Sequence, residues 1–470
     1  MTRFKGRVTL AGVVAGGLVA LAAAAWTVAS APPPRGVVVI TLDTTRADRL
    51  SPYGFQDVSL PSLERLAREG VVFDHASSPV PLTLPAHTSL FTGLLPPHHG
   101  VRDNADKPLA DSIPTLASTL LAGGFRTGAF VGSVVLDPDR GLRRGFEMYR
   151  GVEPGVAMPE TAEGRQRRGD AVVDDAIRWI DQIGDARFLL WTHLYDAHRP
   201  YNPPEPFYTQ YRHDLYLGEL AFVDAQIGRL IGALERRQLL DRTVIVVTAD
   251  HGESLGEHGE RDHGVFVYES VLHVPLIVRA PNLAASRVGG VVRLIDVMPT
   301  VLDALQIQSP PVDGVSLLPV AMGRRVDVDL EAYAESQYPE RFGWSSLRAM
   351  REGRYKLIEA PRPELYDLDD DPYERINLYD ARPVLVSTLT AKASAVLAST
   401  RPAASTQPGA ASPDLQARLS SLGYVAGPVP IPVGEQSKRP DPKDCIGLAH
   451  ESPIKMRLDP VCGSVTPIRR

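Results

Sequence analysis

Apolar runs that alternate with amphipathic segments occupy most of the chain up to about residue 280. Residues 37–42 form a continuous, largely β-branched run, a pattern typical of a strand buried on both faces. Alternating strands and helices favour an α/β fold with a doubly wound, mostly parallel sheet and helices on both faces. The predicted strands are residues 37–42, 127–131, 188–194, 244–247 and 274–278, and the predicted helices are residues 62–69, 113–121, 171–183 and 216–237.

The pattern changes near residue 327, where short alternating segments typical of antiparallel strands begin. We therefore predict a main domain over residues 36–326 and a small C-terminal α+β subdomain over residues 327–400. Residues 401–470 contain 11 of the chain's 41 prolines, so we expect this tail to be irregular.

The first 35 residues differ from the rest of the chain. Arg3, Lys5 and Arg7 precede an uncharged stretch, residues 8–31, which ends in small residues and is followed by a proline spacer. This arrangement predicts a signal peptide, and about 20 apolar residues are also long enough for a retained membrane anchor. Both alternatives place the protein outside the cytoplasm, periplasmic or secreted, and the second attaches it to the inner membrane.

Charge and cysteine content narrow the function classes. The 470 residues include 50 Lys and Arg against 56 Asp and Glu, a formal net charge of -6, so we expect no nucleic-acid partner. The two cysteines, Cys445 and Cys462, lie near the C-terminus and cannot form a cysteine zinc cluster. Outside the cytoplasm they form either one disulfide or two free thiols.

Acids and histidines follow three of the predicted strands. Residues 37–42 run into Asp43, residues 188–194 run towards Asp196 and His198, and residues 244–248 run towards Asp250 and His251. Ligands of such sheets bind beyond the carboxyl ends of the strands, where the loops converge. These side chains are therefore candidates for one shared metal site.

Histidines, acids and glycines crowd the segment of residues 248–264. Glycines let the backbone turn tightly around an ion, and mixed imidazole and carboxylate ligands suit zinc or manganese. A solvated surface loop is the alternative, and it is disfavoured because Asp250 and His251 directly follow a strand that is expected to be buried. In this segment we expect Glu253 and Glu257 to be solvated or to support the ligands, and His258 not to be a ligand.

A hydroxyl group precedes a helix-like stretch in the loop of residues 81–93. Thr83 stands two residues before Pro85. A hydroxyl at a helix entrance is activated by a metal and by the positive helix end, as a phosphoryl or sulfuryl nucleophile needs. The alternative is that Thr83 only caps the helix N-terminus.

These motifs together resemble the sulfatase family of the alkaline phosphatase superfamily. The resemblance rests on residues 39–48, 83–93, 99–100 and 248–253, extends to residues 353–356 and 365–368, and covers about residues 36–390. It implies an alkaline phosphatase-like fold with a small C-terminal subdomain.

The sequence departs from the sulfatase pattern at the nucleophile. Sulfatases carry a Cys or Ser that is oxidised to formylglycine in a C/S-x-P-x-R motif, whereas this chain has Thr83, Pro85 and His87 at the matching positions. Threonine cannot become formylglycine. It is placed as in the nucleotide pyrophosphatase/phosphodiesterases and lipid phosphoethanolamine transferases, superfamily branches that use a threonine nucleophile on phosphorus. Thr44 likewise replaces the second of two adjacent sulfatase aspartates.

The resemblance implies roles for individual residues. Asp43, Thr83, Asp250 and His251 would hold one divalent ion, with Thr83 as the catalytic nucleophile that forms a covalent ester intermediate. Further residues resemble second-site ligands or groups that protonate the leaving group, against the alternative of purely structural roles. These further residues are His198, His263 and Asp196.

Arg46 has two interpretations. Its guanidinium matches the oxygens of a transferred phosphate or sulfate, and it equally suits a structural ion pair with Asp48 or Asp250.

We therefore predict a metal-dependent hydrolase of sulfate or phosphate esters whose substrate is a small molecule, glycan or lipid. The alternatives are a phospho-group transferase acting on lipid or glycan hydroxyls and a catalytically inactive binding module. Zinc is the favoured metal, with calcium, manganese and magnesium as alternatives and one or two ions per chain. Specificity is expected in the loops of residues 140–161 and 200–211, and the oligomeric state is left open.

Overall fold

The structure is a computed structural model that describes residues 33–152, 166–325, 328–399, 439–451 and 462. The predicted signal peptide or anchor lies outside the described residues, except for the end of its proline spacer. Within the described ranges, no helix is long and apolar enough to span a bilayer.

Twelve strands form two sheets in the described part of the chain. The large sheet has eight strands and the small sheet has four. The strands are β1 (Gly36–Leu42), β2 (Val71–Ser77), β3 (Arg126–Val131), β4 (Met148–Arg150), β5 (Phe188–Leu194), β6 (Thr243–Ala249), β7 (His273–Arg279), β8 (Ser286–Arg293), β9 (Ala332–Ser336), β10 (Leu347–Glu352), β11 (Tyr355–Glu359) and β12 (Glu364–Asp367).

Helices pack against both sheets. Within the described ranges the α-helices are α1 (Pro61–Glu69), α2 (Thr83–Thr92), α3 (Pro96–His99), α4 (Leu116–Ala122), α5 (Gly169–Gln182), α6 (Phe207–Gln210), α7 (Leu215–Arg236), α8 (Glu269–Leu272), α9 (Val297–Ala304), α10 (Leu318–Ala321), α11 (Pro383–Ala398) and α12 (Pro442–Glu451).

The large sheet has the strand order β4-β3-β5-β1-β6-β7-β2-β8. Strands β4, β3, β5, β1 and β6 are parallel to one another. Strand β7 runs antiparallel to both of its neighbours, β6 and β2, while β2 and β8 pair in parallel. The prediction of a mostly parallel α/β sheet is therefore confirmed.

Strands β2 and β8 were not predicted from the sequence. Only one residue separates strand β2 from helix α1, so no loop in the sequence indicates where the strand begins. The strand also carries Asp74 and His75 in its middle. Strand β8 lies at the sheet edge and contains Gly289 and Gly290, which weaken any strand pattern. Pairing within the sheet, rather than local propensity, forms these two strands.

The register of the central strands positions the functional edge of the sheet. Leu42 at the end of β1 pairs with Leu194 of β5 and with Ala249 of β6. Every residue of these three strands is buried, as their continuous apolar runs predict. The next residues, Asp43 and Asp250, therefore leave adjacent strands at the same level.

The small sheet has the order β12-β11-β10-β9 and is antiparallel throughout. Helix α11 packs against it. This confirms the small C-terminal α+β subdomain. Its boundaries at residues 326 and 400 stay predictions, because residues 326–327 and 400–438 lie outside the described ranges.

The tail departs from the expected irregular chain where it is described. Residues Pro442–Glu451 form helix α12. A disulfide joins Cys445 to Cys462, with an S–S distance of 2.07 Å. Of the two alternatives for the cysteines, the structure contains the paired form.

Candidate active site

Three fully buried side chains meet where strands β1 and β6 end. Nε2 of His251 lies 3.4 Å from Oδ2 of Asp250 and 3.9 Å from Oδ1 of Asp43. One ligand atom from each residue lies within 4.8 Å of the others. The structure thus brings together three of the four side chains predicted to hold the first ion.

Three of the four carboxylate oxygens in this cluster have no hydrogen-bond partner among the described residues. Both oxygens of Asp43 and Oδ2 of Asp250 accept no hydrogen bond within the described part of the chain. The other oxygen of Asp250 accepts from the amides of Thr44 at 3.3 Å and His251 at 2.9 Å, which holds the carboxylate in place. Buried carboxylate oxygens without partners are costly unless a cation or a proton neutralises them.

Burial also changes the proton affinity of the cluster. Loss of hydration raises the pKa of Asp43 to about 6, and burial together with the nearby charge of Asp43 raises the pKa of Asp250 to about 6. For His251, burial holds the pKa well below its usual value, so its ring is a neutral ligand donor. Two carboxylates and one neutral imidazole form a donor set that fits a divalent cation.

Thr83 is the first residue of helix α2, and its side chain does not cap the helix. The N-cap is Leu82, which forms no side-chain cap hydrogen bond. The hydroxyl oxygen of Thr83 lies 3.4 Å from Nε2 of His251. The helix therefore leaves the hydroxyl beside the metal-type cluster, at the positive end of the helix dipole.

His87 shares a buried hydroxyl with a second histidine. Its Nδ1 donates to the carbonyl oxygen of Thr83 at 2.8 Å, and its Nε2 lies 3.0 Å from Oγ1 of Thr41. Nδ1 of His193 lies 3.2 Å from the same oxygen, which also accepts from Nε1 of Trp191 at 3.0 Å. His87, which replaces the sulfatase arginine, is thus used to support the carbonyl of Thr83.

His193 is the first of two residues near this site that were not predicted from the sequence. Its Nε2 lies 3.3 Å from Oδ2 of Asp43. Neutral His87 carries its hydrogen on Nδ1, so its Nε2 must accept from the hydroxyl of Thr41. The oxygen of Thr41 can then only accept from Nδ1 of His193. Nε2 of His193 is therefore left without a hydrogen and faces Asp43 as an acceptor. Two acceptors this close need a proton or a cation between them. The available signal was a histidine inside a predicted buried strand.

Thr44 has a strained backbone beside these ligands. Its φ is 50°, a left-handed conformation that is rare for a β-branched residue. Its side chain is fully buried, and Oγ1 has no hydrogen-bond partner within the described residues. Strain of this kind persists where the surrounding structure imposes it, and it clusters at functional sites.

A second cluster, formed by Glu253, Asp262 and His263, adjoins the first. Nδ1 of His263 lies 3.0 Å from Oε1 of Glu253 and 2.9 Å from Oδ1 of Asp262. Burial opposes charging of His263, but the two carboxylates outweigh it and raise the pKa of this imidazole well above its usual value. The ring of His263 packs on that of His251, with centroids 4.3 Å apart.

Glu253 is the second residue whose importance was missed, because we expected it to be solvated or merely supporting. It is fully buried, and burial raises its pKa to about 7 despite His263. Its other oxygen, Oε2, accepts from the hydroxyl of Tyr201 at 3.3 Å. Glu253 ends the motif of residues 248–253 that resembles the sulfatases, a signal that could have set it apart from Glu257, which is partly exposed.

His198 joins the second cluster, whereas Asp196 does not. The ring of His198 meets that of His263 edge-on at 5.0 Å and stacks on Tyr195 at 4.4 Å. Asp196 instead accepts from the amide of Gly169 at 2.9 Å, at the start of helix α5. The structure places Asp196 at a helix N-terminus, outside both clusters.

Arg46 is saturated by protein partners. Its Nε and Nη2 donate to the two oxygens of Asp48 at 2.8 Å each, and its Nη1 donates to the carbonyl of Glu253 at 3.1 Å and to Glu257 at 2.8 Å. The structural alternative is therefore the one that the structure shows, with Asp48 rather than Asp250 as the partner. His258 stacks on Tyr268 at 3.6 Å, away from the ligands.

A hydroxyl at a helix N-terminus beside buried acids and histidines, at the carboxyl edge of an α/β sheet, is an arrangement suited to an ester hydrolase. The Sulfatase family model matches residues 35–307. The model described as N-sulphoglucosamine sulphohydrolase, C-terminal, matches residues 256–398. The chain belongs to the sulfatase family, which is metal-dependent.

Curated relatives agree with this assignment. The chain is 25% identical over 418 residues to the uncharacterized sulfatase YidJ of Escherichia coli, covering 74% of this chain and 83% of that protein. It is 27% identical over 447 residues to the choline-sulfatase of Rhizobium meliloti, covering 76% of this chain and 85% of that protein. Arylsulfatase K of Mus musculus is 27% identical over 276 residues, 53% of this chain and 49% of its own length.

Solved structures share the fold. The phosphonate monoester hydrolase of Agrobacterium radiobacter superposes with a TM-score of 0.66 at 22% identity, covering 78% of this chain and 95% of that chain. The phosphonate monoester hydrolase from Silicibacter pomeroyi gives a TM-score of 0.62 at 22% identity, covering 76% and 94%.

Proposed function

We propose that the protein is a metal-dependent hydrolase of phosphate or sulfate esters in which Thr83 is the nucleophile. The observation that carries this proposal is the set of unpartnered, buried oxygens of Asp43 and Asp250 beside the hydroxyl of Thr83. Such a set is neutralised by a divalent cation, with His251 as a further ligand. When bound, the ion would lower the pKa of the threonine hydroxyl and offset charge on the transferred group.

The protein's own residues would divide the reaction into two steps. Thr83 first loses its hydroxyl proton to water, and its Oγ1 then attacks the phosphorus or sulfur, forming an ester to the threonine while the bond to the leaving oxygen breaks. His263, held in its charged form by Glu253 and Asp262, donates a proton to the leaving oxygen. Water then cleaves the threonine ester, and neutral His263 accepts a proton from it.

Phosphorus is our preferred reaction centre. Thr83 cannot supply the formylglycine of ordinary sulfatases, and the superfamily branches that it resembles act on phosphorus. The similarity to phosphonate monoester hydrolases supports testing phosphonates as well. For the metal we favour zinc, with calcium, manganese and magnesium as the alternatives to test.

The experiment is a set of parallel initial-rate assays. The purified protein is analysed for metal and assayed on an aryl sulfate, an aryl phosphate monoester, an aryl phosphate diester and an aryl phosphonate monoester, with Thr83→Ala alongside. We expect turnover of at least one phosphorus ester that is lost in Thr83→Ala. Dominant sulfate turnover contradicts the preference for phosphorus, and full turnover in Thr83→Ala contradicts the nucleophile.

A further inference from the structure

We propose that the disulfide-bonded C-terminal segment positions the loop that carries His263. The segment, here called the strap, comprises residues 439–451 and Cys462. The loop, here called the histidine loop, comprises residues 257–268. The proposal deepens the function proposed above and rests on His263 taking part in that reaction. The strap lies beyond the residues matched by either family model, which end at residues 307 and 398.

Apolar packing joins the strap to the histidine loop. Cys445, Ile446 and Cys462 are 0%, 6% and 2% exposed. They belong to one buried cluster with four consecutive loop residues, 265–268. A chain segment whose apolar side chains fill the core beneath a loop limits the conformations of that loop.

Ile446 also contacts the loop where its backbone turns. A Cβ atom at Gly259 would lie 3.4 Å from Cγ2 of Ile446, so the side chain of Ile446 faces this glycine with room for little more than a methyl group between them. Gly259 has a φ of 83°, so the chain turns sharply here, three residues before Asp262. The side chain of Ile446 thus supports the turn that leads into His263.

A polar bridge provides a second link. Nζ of Lys443 lies 3.0 Å from one oxygen of Glu364, and the hydroxyl of Tyr268 donates to the other oxygen at 2.9 Å. One carboxylate of strand β12 therefore connects the strap to the end of the histidine loop.

The strap is itself attached to the C-terminal subdomain. The carbonyl of Pro440 accepts from the amide of Ser345 at 3.0 Å, and Asp441 accepts from the amide of Arg362 at 2.9 Å. Arg439 pairs with Glu340 at 3.1 Å. The disulfide then holds helix α12 to Cys462, so the strap is fixed at its beginning, its middle and its end.

On its other side the histidine loop is closed by its own hydrogen bonds. The buried carboxylate of Glu260 accepts from the amides of Val265 at 2.9 Å and Phe266 at 3.3 Å. The carbonyl of Asp262 accepts from the amide of Ser254 at 2.9 Å. The loop is thus held by its own hydrogen bonds and by apolar packing against the strap. The strap residues are therefore positioning residues for His263.

The test compares two alanine substitutions in helix α12. Ile446→Ala truncates the side chain next to Gly259, whereas Asp444→Ala, the matched control, removes a side chain of the same helix whose ion pair with Arg362, at 2.7 Å, is solvent-exposed and therefore weak. Ile446→Ala is expected to lower kcat by about fivefold or more with little change in KM, since a displacement of about 1 Å in a catalytic group can cost up to about 100-fold. Ile446→Val should restore most of kcat, and Asp444→Ala should leave it unchanged.

A second variant and a second readout distinguish loss of loop positioning from simple unfolding. The double variant Cys445→Ala with Cys462→Ala removes the covalent link, and hydrogen exchange of the amides of residues 259–268 reports on the loop without requiring activity. We expect faster exchange in this loop in Ile446→Ala and in the double variant, with unchanged metal content. Asp444→Ala should exchange as the wild type does.

Each outcome decides the proposal. Unchanged loop exchange and unchanged kcat in both variants would overturn it, as would a lower melting temperature with kcat unchanged. If the wild-type protein hydrolyses none of the esters with any of the metals, the proposed function fails separately. In that case hydrogen exchange of the loop amides tests the positioning proposal by itself. Faster exchange in the variants supports the proposal, and unchanged exchange overturns it.

Discussion

The hydroxyl oxygen of Thr83 lies 3.4 Å from Nε2 of His251, although the two residues are 168 positions apart in the chain. Helix α2 brings the hydroxyl to the sheet edge, and strand β6 delivers the histidine to the same place. A threonine that served only helix capping would instead occupy the N-cap, which is Leu82. The position of Thr83 therefore does not match the capping alternative, and its role as the nucleophile stays a prediction.

Removal of the Thr83 hydroxyl should abolish turnover. Thr83→Ala is expected to lower kcat by about 10³-fold or more, because a covalent mechanism has no substitute for its nucleophile. Initial rates on the best ester substrate measure this. Thr88→Ala is the matched control, because Thr88 is also buried in helix α2 and its hydroxyl donates only to the carbonyl of Leu84. A similar loss in both variants would attribute the effect to the helix rather than to the nucleophile.

Neutralising Asp43 should raise the stability of the metal-free protein and reduce the stability gained when metal binds. In the metal-free protein near pH 7, Asp43→Asn removes a buried, unpartnered charge and is expected to raise the free energy of unfolding by about 1–3 kcal/mol. Metal at about 100 times its Kd should stabilise the wild type by about 2.7 kcal/mol and the variant by much less. Melting curves with a chelator and with each divalent ion measure both effects. A metal-free variant that is less stable than the wild type contradicts this prediction.

The contribution of Asp43 and Asp250 to the stability of the metal-free protein should fall as the pH rises from about 4 to about 6. The pKa values of Asp43 and Asp250 are raised from 3.8 to about 6, so these two groups bind more protons in the folded state than in the unfolded state in this window. Their stabilising contribution is therefore complete at low pH and lost as the pH passes the folded pKa. Since metal competes with these protons, the increase in melting temperature on adding metal should grow over the same window. A metal-induced increase that does not vary with pH would exclude these two carboxylates as the ligands.

Relief of backbone strain at Thr44 should stabilise the protein. Thr44→Gly removes a β-branched residue from a φ of 50° together with a buried hydroxyl that lacks a partner, and a gain of about 1 kcal/mol is expected. Denaturant unfolding measures the change. Thr45→Gly is the control, because Thr45 has no positive φ and its hydroxyl donates to the carbonyl of Asp43 at 3.1 Å, so this variant should lose stability. Equal losses in both variants would show that Thr44 is unstrained.

Arg46 should matter for stability more than for substrate affinity. Its guanidinium is 3% exposed and engages Asp48 and Glu257. Arg46→Ala is therefore expected to lower the free energy of unfolding by about 2 kcal/mol, less than for a fully buried pair because both carboxylates are partly exposed. Urea unfolding and KM are measured on the same preparation. A large rise in KM with unchanged stability would instead assign Arg46 to the transferred group.

Much of the framework follows from local pattern. Continuous apolar runs predicted strands β1, β5 and β6. The structure contains them with one further residue at the start of β1, without change for β5, and with one further residue at the start and two at the end of β6. The acids that follow β1 and β6 were predicted as ligands on the same basis, because strand ends in a parallel sheet share one edge. Asp43, Asp250, His251 and Thr83 do lie together, and their roles as ligands and nucleophile stay predictions.

Other parts of the site depend on contacts between distant residues. His193 lies inside a buried strand, and only the pairing of β5 with β1 places its ring beside Asp43. Glu253 and Glu257 each follow a glycine in the same polar segment, yet the first is fully buried against His263 and the second is partly exposed.

The runs of apolar residues determine the central strands β1, β5 and β6 and, to within one or two residues, where they end, because burial of an apolar segment is a local requirement of the chain. Whether a polar side chain at such an end meets a metal, a helix N-terminus or solvent depends on what the rest of the fold brings next to it. Asp196 and Asp250 illustrate this difference. Both follow buried strands, and each has one oxygen with no hydrogen-bond partner within the described residues, but Asp196 lies against the start of helix α5, whereas Asp250 lies beside Asp43 and His251.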